Sequence, residues 1–288
     1  QDTRIEPKSY KFNRPWGVPV RYHDFDEYNS KISPDIFEFH LSYSDLDLNV
    51  DEFLSGEYEC GFVIHAPELF AGSRLMDLAS PDEEYRRYSI IETQRVIDIT
   101  RSLKKYFPAT ECPMIVANIG GFTMDELLPS DQLVTYYERF ADSLSLLDMA
   151  GVELIPQTMA PFPWHFGGQR YQNLFVHAEE CRYWCDKLNL RMCFDISHSR
   201  LMSNHFGVDF YEFAERIAPI TGHLHLGDAS GVNGEGLQIG DGDLDFERLA
   251  GILDSHCPEA SFIPEIWQGH KNGGEGFWIA LERLEKII

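Results

Sequence analysis

Short apolar runs rich in β-branched and aromatic residues recur along the chain, and between them apolar positions repeat every three to four residues. The runs predict strands near Val18–Arg21, Ile36–Leu41, Gly61–His65, Met114–Asn118, Val152–Gln157, Arg191–Asp195, Gly222–Leu226 and Ser261–Glu265. The intervening periodicity predicts helices. One starts at Ser80-Pro81-Asp82-Glu83, read as a capping box with proline at the first helical position, and carries Val96, Ile99, Leu103 and Tyr106 on one face. A second runs from Ser130 with Leu133, Tyr137, Phe140, Leu144 and Leu147 in register. A third follows Gly273-Gly274 and buries Phe277, Leu281, Leu284 and Ile288, and shorter helices are expected around Asp24–Ser30 and Asp209–Ile217.

Strands separated by helices imply right-handed crossovers and a parallel sheet. Eight such units in 288 residues average about 36 residues each, which suits an α/β fold of the (β/α)8 barrel type. The expected layout is a single barrel domain over 16–288, with 1–15 a polar tail or linker remnant. A doubly wound open sheet is the alternative, but it needs a phosphate-binding turn between a strand and a helix. Gly234-Glu235-Gly236 and Gly240-Asp241-Gly242 fall instead in a long loop.

The charge balance narrows the partners. Lys and Arg number 24 against 47 Asp and Glu, a net charge of −23, which repels nucleic-acid phosphates and anionic lipid. No apolar run approaches the ~20 residues of a membrane helix. The six cysteines include no C-x-x-C pair. Cys181 and Cys185 lie on the stripe Leu174, Ala178, Cys181, Cys185 and Leu188, so they read as buried thiols, with His177 one position aside. A soluble cytoplasmic protein with reduced cysteines is expected.

A parallel barrel collects its chemistry at the carboxyl ends of its strands. Those ends carry Glu38 and His40, His65, Asn118, Gln157, Asp195 followed by His198, His223 and His225, and Glu265. Any one of these residues can merely cap a helix or bond a loop. Polar residues ending so many strands in turn point to a site. Gln157, Asp195, His225 and Glu265 offer three oxygens and one imidazole nitrogen, a set for Mn2+, Mg2+ or Co2+ in a site open to water, or for Zn2+. Such an ion polarises a carbonyl or hydroxyl pair and acidifies a neighbouring C–H.

These residues also carry a resemblance. Met192-Cys193-Phe194-Asp195-Ile196-Ser197-His198, His223-Leu224-His225-Leu226-Gly227-Asp228, the glycine turn Ile239 to Phe246, Phe262-Ile263-Pro264-Glu265 and His65-Ala66-Pro67 resemble motifs of the xylose isomerase-like superfamily. That superfamily includes sugar isomerases, ketose 3-epimerases, inosose dehydratases and endonuclease IV-type repair enzymes. Pro15 to Phe25, Phe39 to Tyr43, Trp164 to Tyr171 and Pro264 to Gly274 are similar to one subgroup, a domain fused behind N-acetylneuraminate synthase-like domains. The resemblance implies a metal-dependent sugar isomerase or epimerase acting on a small acidic or amino sugar, such as a nonulosonic (sialic) acid precursor. It also implies a fused or associated synthase-like partner domain.

Two departures matter. The sugar epimerases have glutamate where Gln157 stands, and glutamine can bind a metal through its oxygen but cannot accept a proton at neutral pH. The endonuclease branch has histidine where Asn118 stands. The expected catalytic groups are Glu265, His198 and Lys271. The expected substrate contacts are His65, Asn118, His165, Arg170, Glu235, Trp267 and His270. The loop from Thr158 to Tyr171, with its Gly167-Gly168 pair, reads as a lid or as a rigid rim. A non-catalytic sugar-binding or regulatory domain and a metal-dependent dehydratase or lyase are the alternative functions.

Overall fold

The computed structural model describes residues 4–162 and 170–288. Eight parallel strands form the centre: β1 Gly17–Val20, β2 Ile36–His40, β3 Gly61–His65, β4 Met114–Ala117, β5 Glu153–Pro156, β6 Met192–Asp195, β7 Thr221–Leu226 and β8 Ser261–Pro264. Strands β1 to β5 pair in chain order, as do β6 to β8. Bridges between Gln157 and Cys193 and between Trp16 and Phe262 join the two sets. The sheet therefore closes into a ring, leaving no edge for the doubly wound alternative. All eight expected strands are present, each within a residue or two of its expected ends.

The helices are α1 Phe25–Lys31, α2 Glu83–Leu103, α3 Ser130–Ser145, α4 Ala178–Leu188, α5 Ile196–Phe206, α6 Phe210–Ile217, α7 Phe246–His256 and α8 Lys271–Glu285. They are not distributed one per unit. The β2–β3 crossover has only 3-10 turns at Tyr43–Asp47 and Val50–Glu52, whereas α5 and α6 both lie between β6 and β7. The start of α2 also differs from expectation. Asp82, not Ser80, is the N-cap, accepting from the backbone N–H groups of Glu84 and Tyr85, while Ser80 Oγ accepts from Asp82 N. Proline at position 81 thus precedes the helix. Along α3 the predicted face is the buried one, with Leu133, Tyr137, Phe140 and Leu144 in the core. In α8 Phe277, Leu281 and Leu284 are buried, while Ile288 lies beyond the helix and is only partly covered.

The stretch before β1, read from sequence as a tail, packs on the barrel near its carboxyl-terminal half. Phe12 meets Phe262 edge-on, and the buried Arg14 guanidinium donates to the carbonyls of Cys257 and Ala260. Cys181 and Cys185 are buried in α4 as free thiols, as expected of the stripe. Among the described residues no helix is long and apolar enough to cross a membrane.

The loop after β7 is not irregular. Asp228–Ser230 pairs antiparallel with Gly234–Leu237. Asp228 anchors the following glycine turn, its carboxylate accepting from the N–H groups of Ala229, Gly240, Gly242 and Leu244. A side chain at Gly242 would run into Ala229 and Asp228, so this close approach requires glycine.

Candidate active site

At the carboxyl end of the barrel lies a cavity of about 490 Å³ lined by Gln157, Asp195, His198, His225, Glu235, Glu265 and Trp267, among others. A second cavity of about 350 Å³ meets it at Glu265 and Ile266 and reaches His40, Arg21 and His270. Asp195 and His225 stand at strand ends and Glu265 just past one, whereas His198 lies in the first turn of α5 and Glu235 in the ribbon after β7.

His225, on β7, is wholly buried and is held from both sides. Its Nε2 lies 2.9 and 3.1 Å from the two oxygens of Glu38. Its Nδ1 lies 2.6 Å from Glu265 Oε2 and 3.5 Å from Asp195 Oδ2. The contact with Glu265 is not a hydrogen bond: His225 Nδ1 and Glu265 Oε2 are both buried without a hydrogen-bond partner, as is Gln157 Nε2 on the same wall. Buried polar atoms left unpaired are costly. Three of them bordering one cavity, with a carboxylate among them, fit a bound cation. The amide of Gln157 can present oxygen there by a half-turn. The sequence-predicted ligand residues Gln157, Asp195, His225 and Glu265 are thus brought to one cavity wall. His65 joins them, since His65, His225 and Glu265 offer ligand atoms all within 4.8 Å of one another. His65 donates from Nδ1 to its neighbour Ala66 O and stacks its ring on His225 at 5.7 Å.

Electrostatics follow from burial and proximity. Burial opposes ionisation of Glu38, but His225 and His223 outweigh it and hold the carboxyl well below its usual range. Glu265 is lowered in the same way by His225, His40 and His65 against the cost of burial. Asp195 is raised, chiefly by burial, which His198 and His225 only partly offset. Burial disfavours the His225 imidazolium, and Cys193 is its next influence, but that thiol is itself pushed up to about 12 by burial and is neutral. Glu265 and Glu38 therefore hold His225 well above the histidine range when no other cation is near.

His198 opens the second turn of contacts. Its backbone N–H donates to Asp195 Oδ1 at 2.9 Å, its Nδ1 faces the Thr158 carbonyl at 3.0 Å, and its Nε2 contacts Glu235. Burial would lower its pKa, but Asp195 and Glu235 raise it to about 10. Both ring nitrogens act as donors, so the catalytic role expected of His198 from sequence cannot be that of a base, for which the ring has no lone pair. It is a charged donor.

Other expected residues fall elsewhere. Lys271 is exposed at the start of α8 and lines neither cavity, so its expected catalytic role has no structural footing. Asn272 to Gly274 adopt left-handed backbone immediately after it. Arg170 is exposed and lines neither cavity. Asn118 is buried and accepts from Gly120 N at 3.4 Å, the bland loop-bonding role. His270 lines the second cavity, not the first. Trp267, 65% exposed, lies at the first cavity's rim. His165 lies outside the described residues, as does half of the expected lid, 163–169.

Sequence reasoning missed the part played by Thr158. Its hydroxyl accepts from Asp195 N at 2.9 Å while its carbonyl accepts from His198 Nδ1, so it holds the Asp195 backbone and the His198 ring. Glu68, which also lines the first cavity, was missed as well. Its place three residues after His65 on a strand-end loop was the available signal.

The comparisons agree with this architecture. A structure described as a D-tagatose 3-epimerase-like protein is similar over 95% of this chain and 98% of its own, at 19% identity and a TM-score of 0.68. A D-psicose 3-epimerase solved in the presence of D-fructose matches over 94% and 96%, at 15% identity and a TM-score of 0.62. An AP endonuclease, family 2, from Brucella melitensis matches over 92% and 96%, at 17% identity and a TM-score of 0.57. These likenesses concern the fold. A comparison of the sequence with curated proteins returns no match. The family model "Xylose isomerase-like TIM barrel" matches residues 32–287, and the chain belongs to that family.

Proposed function

We propose that the chain is a divalent-metal-dependent sugar isomerase or epimerase. The observation that supports the reading is the ion pair of His225 Nδ1 and Glu265 Oε2, which lacks hydrogen-bond geometry, beside Asp195 and Gln157. Gln157, Asp195, His225 and Glu265 would hold the ion, with His65 beside them. A bound divalent ion supplies Lewis acidity to a carbonyl or hydroxyl oxygen of the sugar.

The rest falls to the side chains. Glu265 is the base, because its carboxylate is kept ionised, is 37% exposed and lines both cavities. It accepts the proton of the C–H beside the sugar carbonyl and returns it on the same face to the former carbonyl carbon, while the hydroxyl proton passes to the other oxygen, which balances an isomerisation. His198, charged and held between the Thr158 carbonyl and Glu235, offsets negative charge through space as it develops on the sugar oxygen. Trp267 offers an apolar face at the rim for a sugar ring. Since Gln157 cannot take a proton, a single carboxylate works next to the ion, which favours transfer on one face over a two-base exchange. The acidic- or amino-sugar substrate and the synthase-like partner draw their support from the sequence resemblance. The experiment is turnover of candidate ketoses and acidic sugars in D2O. A solvent-derived deuteron in product, lost in Glu265→Gln, supports the reading. Loss of water with a vanished stereocentre identifies a dehydratase instead.

One observation favours a second reading. With Gln157 in place of a base and His198 already committed as a donor, the site also suits a sugar-binding module. Ligand binding with no proton exchange under metal loading would decide for it.

A further inference from the structure

Glu38 is wholly buried and carries four short imidazole contacts. Oε1 lies 3.0 Å from His40 Nε2 and 2.9 Å from His225 Nε2, and Oε2 lies 2.6 Å from His223 Nε2 and 3.1 Å from His225 Nε2. An ionised carboxylate only accepts hydrogen bonds. Each of the three rings must therefore place a proton on Nε2. The consequence for His223 can be checked: its Nδ1 must be a lone pair, and Ser261 Oγ stands 2.7 Å from it, placed to donate. For His225 the consequence is that Nδ1 is the nitrogen left to face Glu265 and Asp195.

We infer that Glu38 is a positioning residue that sets the tautomers of His40, His223 and His225 together, committing His225 Nδ1 to the cation site, with Ser261 fixing the far end of the chain. The inference rests on the proposed metal-dependent reading for what His225 faces, but the tautomer pattern stands without it. Glu38, His223 and His225 are themselves close enough together to suggest a second metal site. Their nitrogen and oxygen atoms already saturate one another, so that cluster is a support and not a site. A carboxylate behind a ligating histidine fixes ring orientation and raises its basicity, and its loss lowers metal affinity.

The test titrates manganese(II) calorimetrically into wild type, Glu38→Gln and Ser261→Ala near neutral pH, with circular dichroism to verify folding. In parallel, 15N NMR of histidine-labelled protein reads the tautomers. Glu38→Gln is expected to bind manganese about 10- to 100-fold more weakly, with Ser261→Ala losing less. Wild type is expected to show Nε2-protonated neutral rings at His223 and, once loaded, at His225. Equal affinity in folded Glu38→Gln overturns the inference, as does a loaded wild type with its His225 proton on Nδ1. If Glu38→Gln does not fold, Ser261→Ala decides: unchanged affinity together with an unchanged His223 tautomer overturns it. Wild type that binds no manganese overturns the proposed reaction, while the His223 and His40 tautomers still decide for or against Glu38.

Discussion

His225 Nδ1 and Glu265 Oε2 approach to 2.6 Å with no hydrogen bond between them. They come from neighbouring strands, β7 and β8, and each is also surrounded by groups that resist movement. Glu38 holds the other nitrogen of His225, and Glu265 N donates to the Leu226 carbonyl at 2.8 Å, fixing the strand end. The strand ends thus hold the two atoms together, and a cation bound at this wall, as proposed, would take the place of the imidazolium charge.

Replacing Glu265 by glutamine removes the carboxylate and one ligand charge while keeping the shape. Turnover should fall by about 10²- to 10⁴-fold, the usual worth of a positioned general base. Steady-state kinetics with saturating metal checks this, and undiminished turnover would contradict the assignment.

Gln157→Glu should act in the opposite direction on the ion. One added negative charge in the ligand wall is expected to tighten divalent binding by at least about tenfold, within the range of Coulomb attraction near 4 Å at intermediate screening. Competition with a chelating dye gives the measurement, and a weaker site in a folded variant would sink the placement of Gln157.

Asp77 supplies a pH dependence remote from the ligands. Burial raises its carboxyl to about 6 from the ordinary 3.8, although N–H groups of Gly121, Ala79 and Phe122 pull the other way. The folded state then holds this proton more tightly than the unfolded chain. Its contribution is full below the ordinary value and is lost as pH rises through about 6. Asp77→Asn should remove a stability decrease of order 2–3 kcal/mol between pH ~4 and ~7. Urea denaturation of metal-free protein across that range, wild type against variant, reads the slope directly.

Asp228→Ala removes the acceptor shared by Ala229, Gly240, Gly242 and Leu244. Buried donors left unpaired should cost about 1–3 kcal/mol. The midpoint of chemical denaturation measures the loss, and an unchanged midpoint would show that water or a rearranged turn replaces the carboxylate.

Much of the barrel was readable because strand alternation and helix periodicity are local. Residues such as Leu133, Tyr137 and Phe140 declare their face by spacing alone. The helix α5 was not readable for the same reason. Ile196 to Ser199 and Leu201 to Ser203 are buried on all sides, so no amphipathic period marks it. Asp195, His225 and Glu265 could be singled out by their strand ends. Their support could not, because Glu38 meets His223 and His225 across 185 and 187 residues, a pairing that only ring closure creates. Lys271 misled because proximity in sequence to Glu265 says nothing about direction once the left-handed Gln268 intervenes.

Gln157, Asp195, His225 and Glu265 are proposed to surround one cation. Anomalous scattering at the manganese edge from crystals grown with that ion tests it most directly. A single strong peak within coordination distance of all four side chains is predicted. A peak elsewhere, or none while His225 Nδ1 carries a proton shared with Glu265, would contradict it.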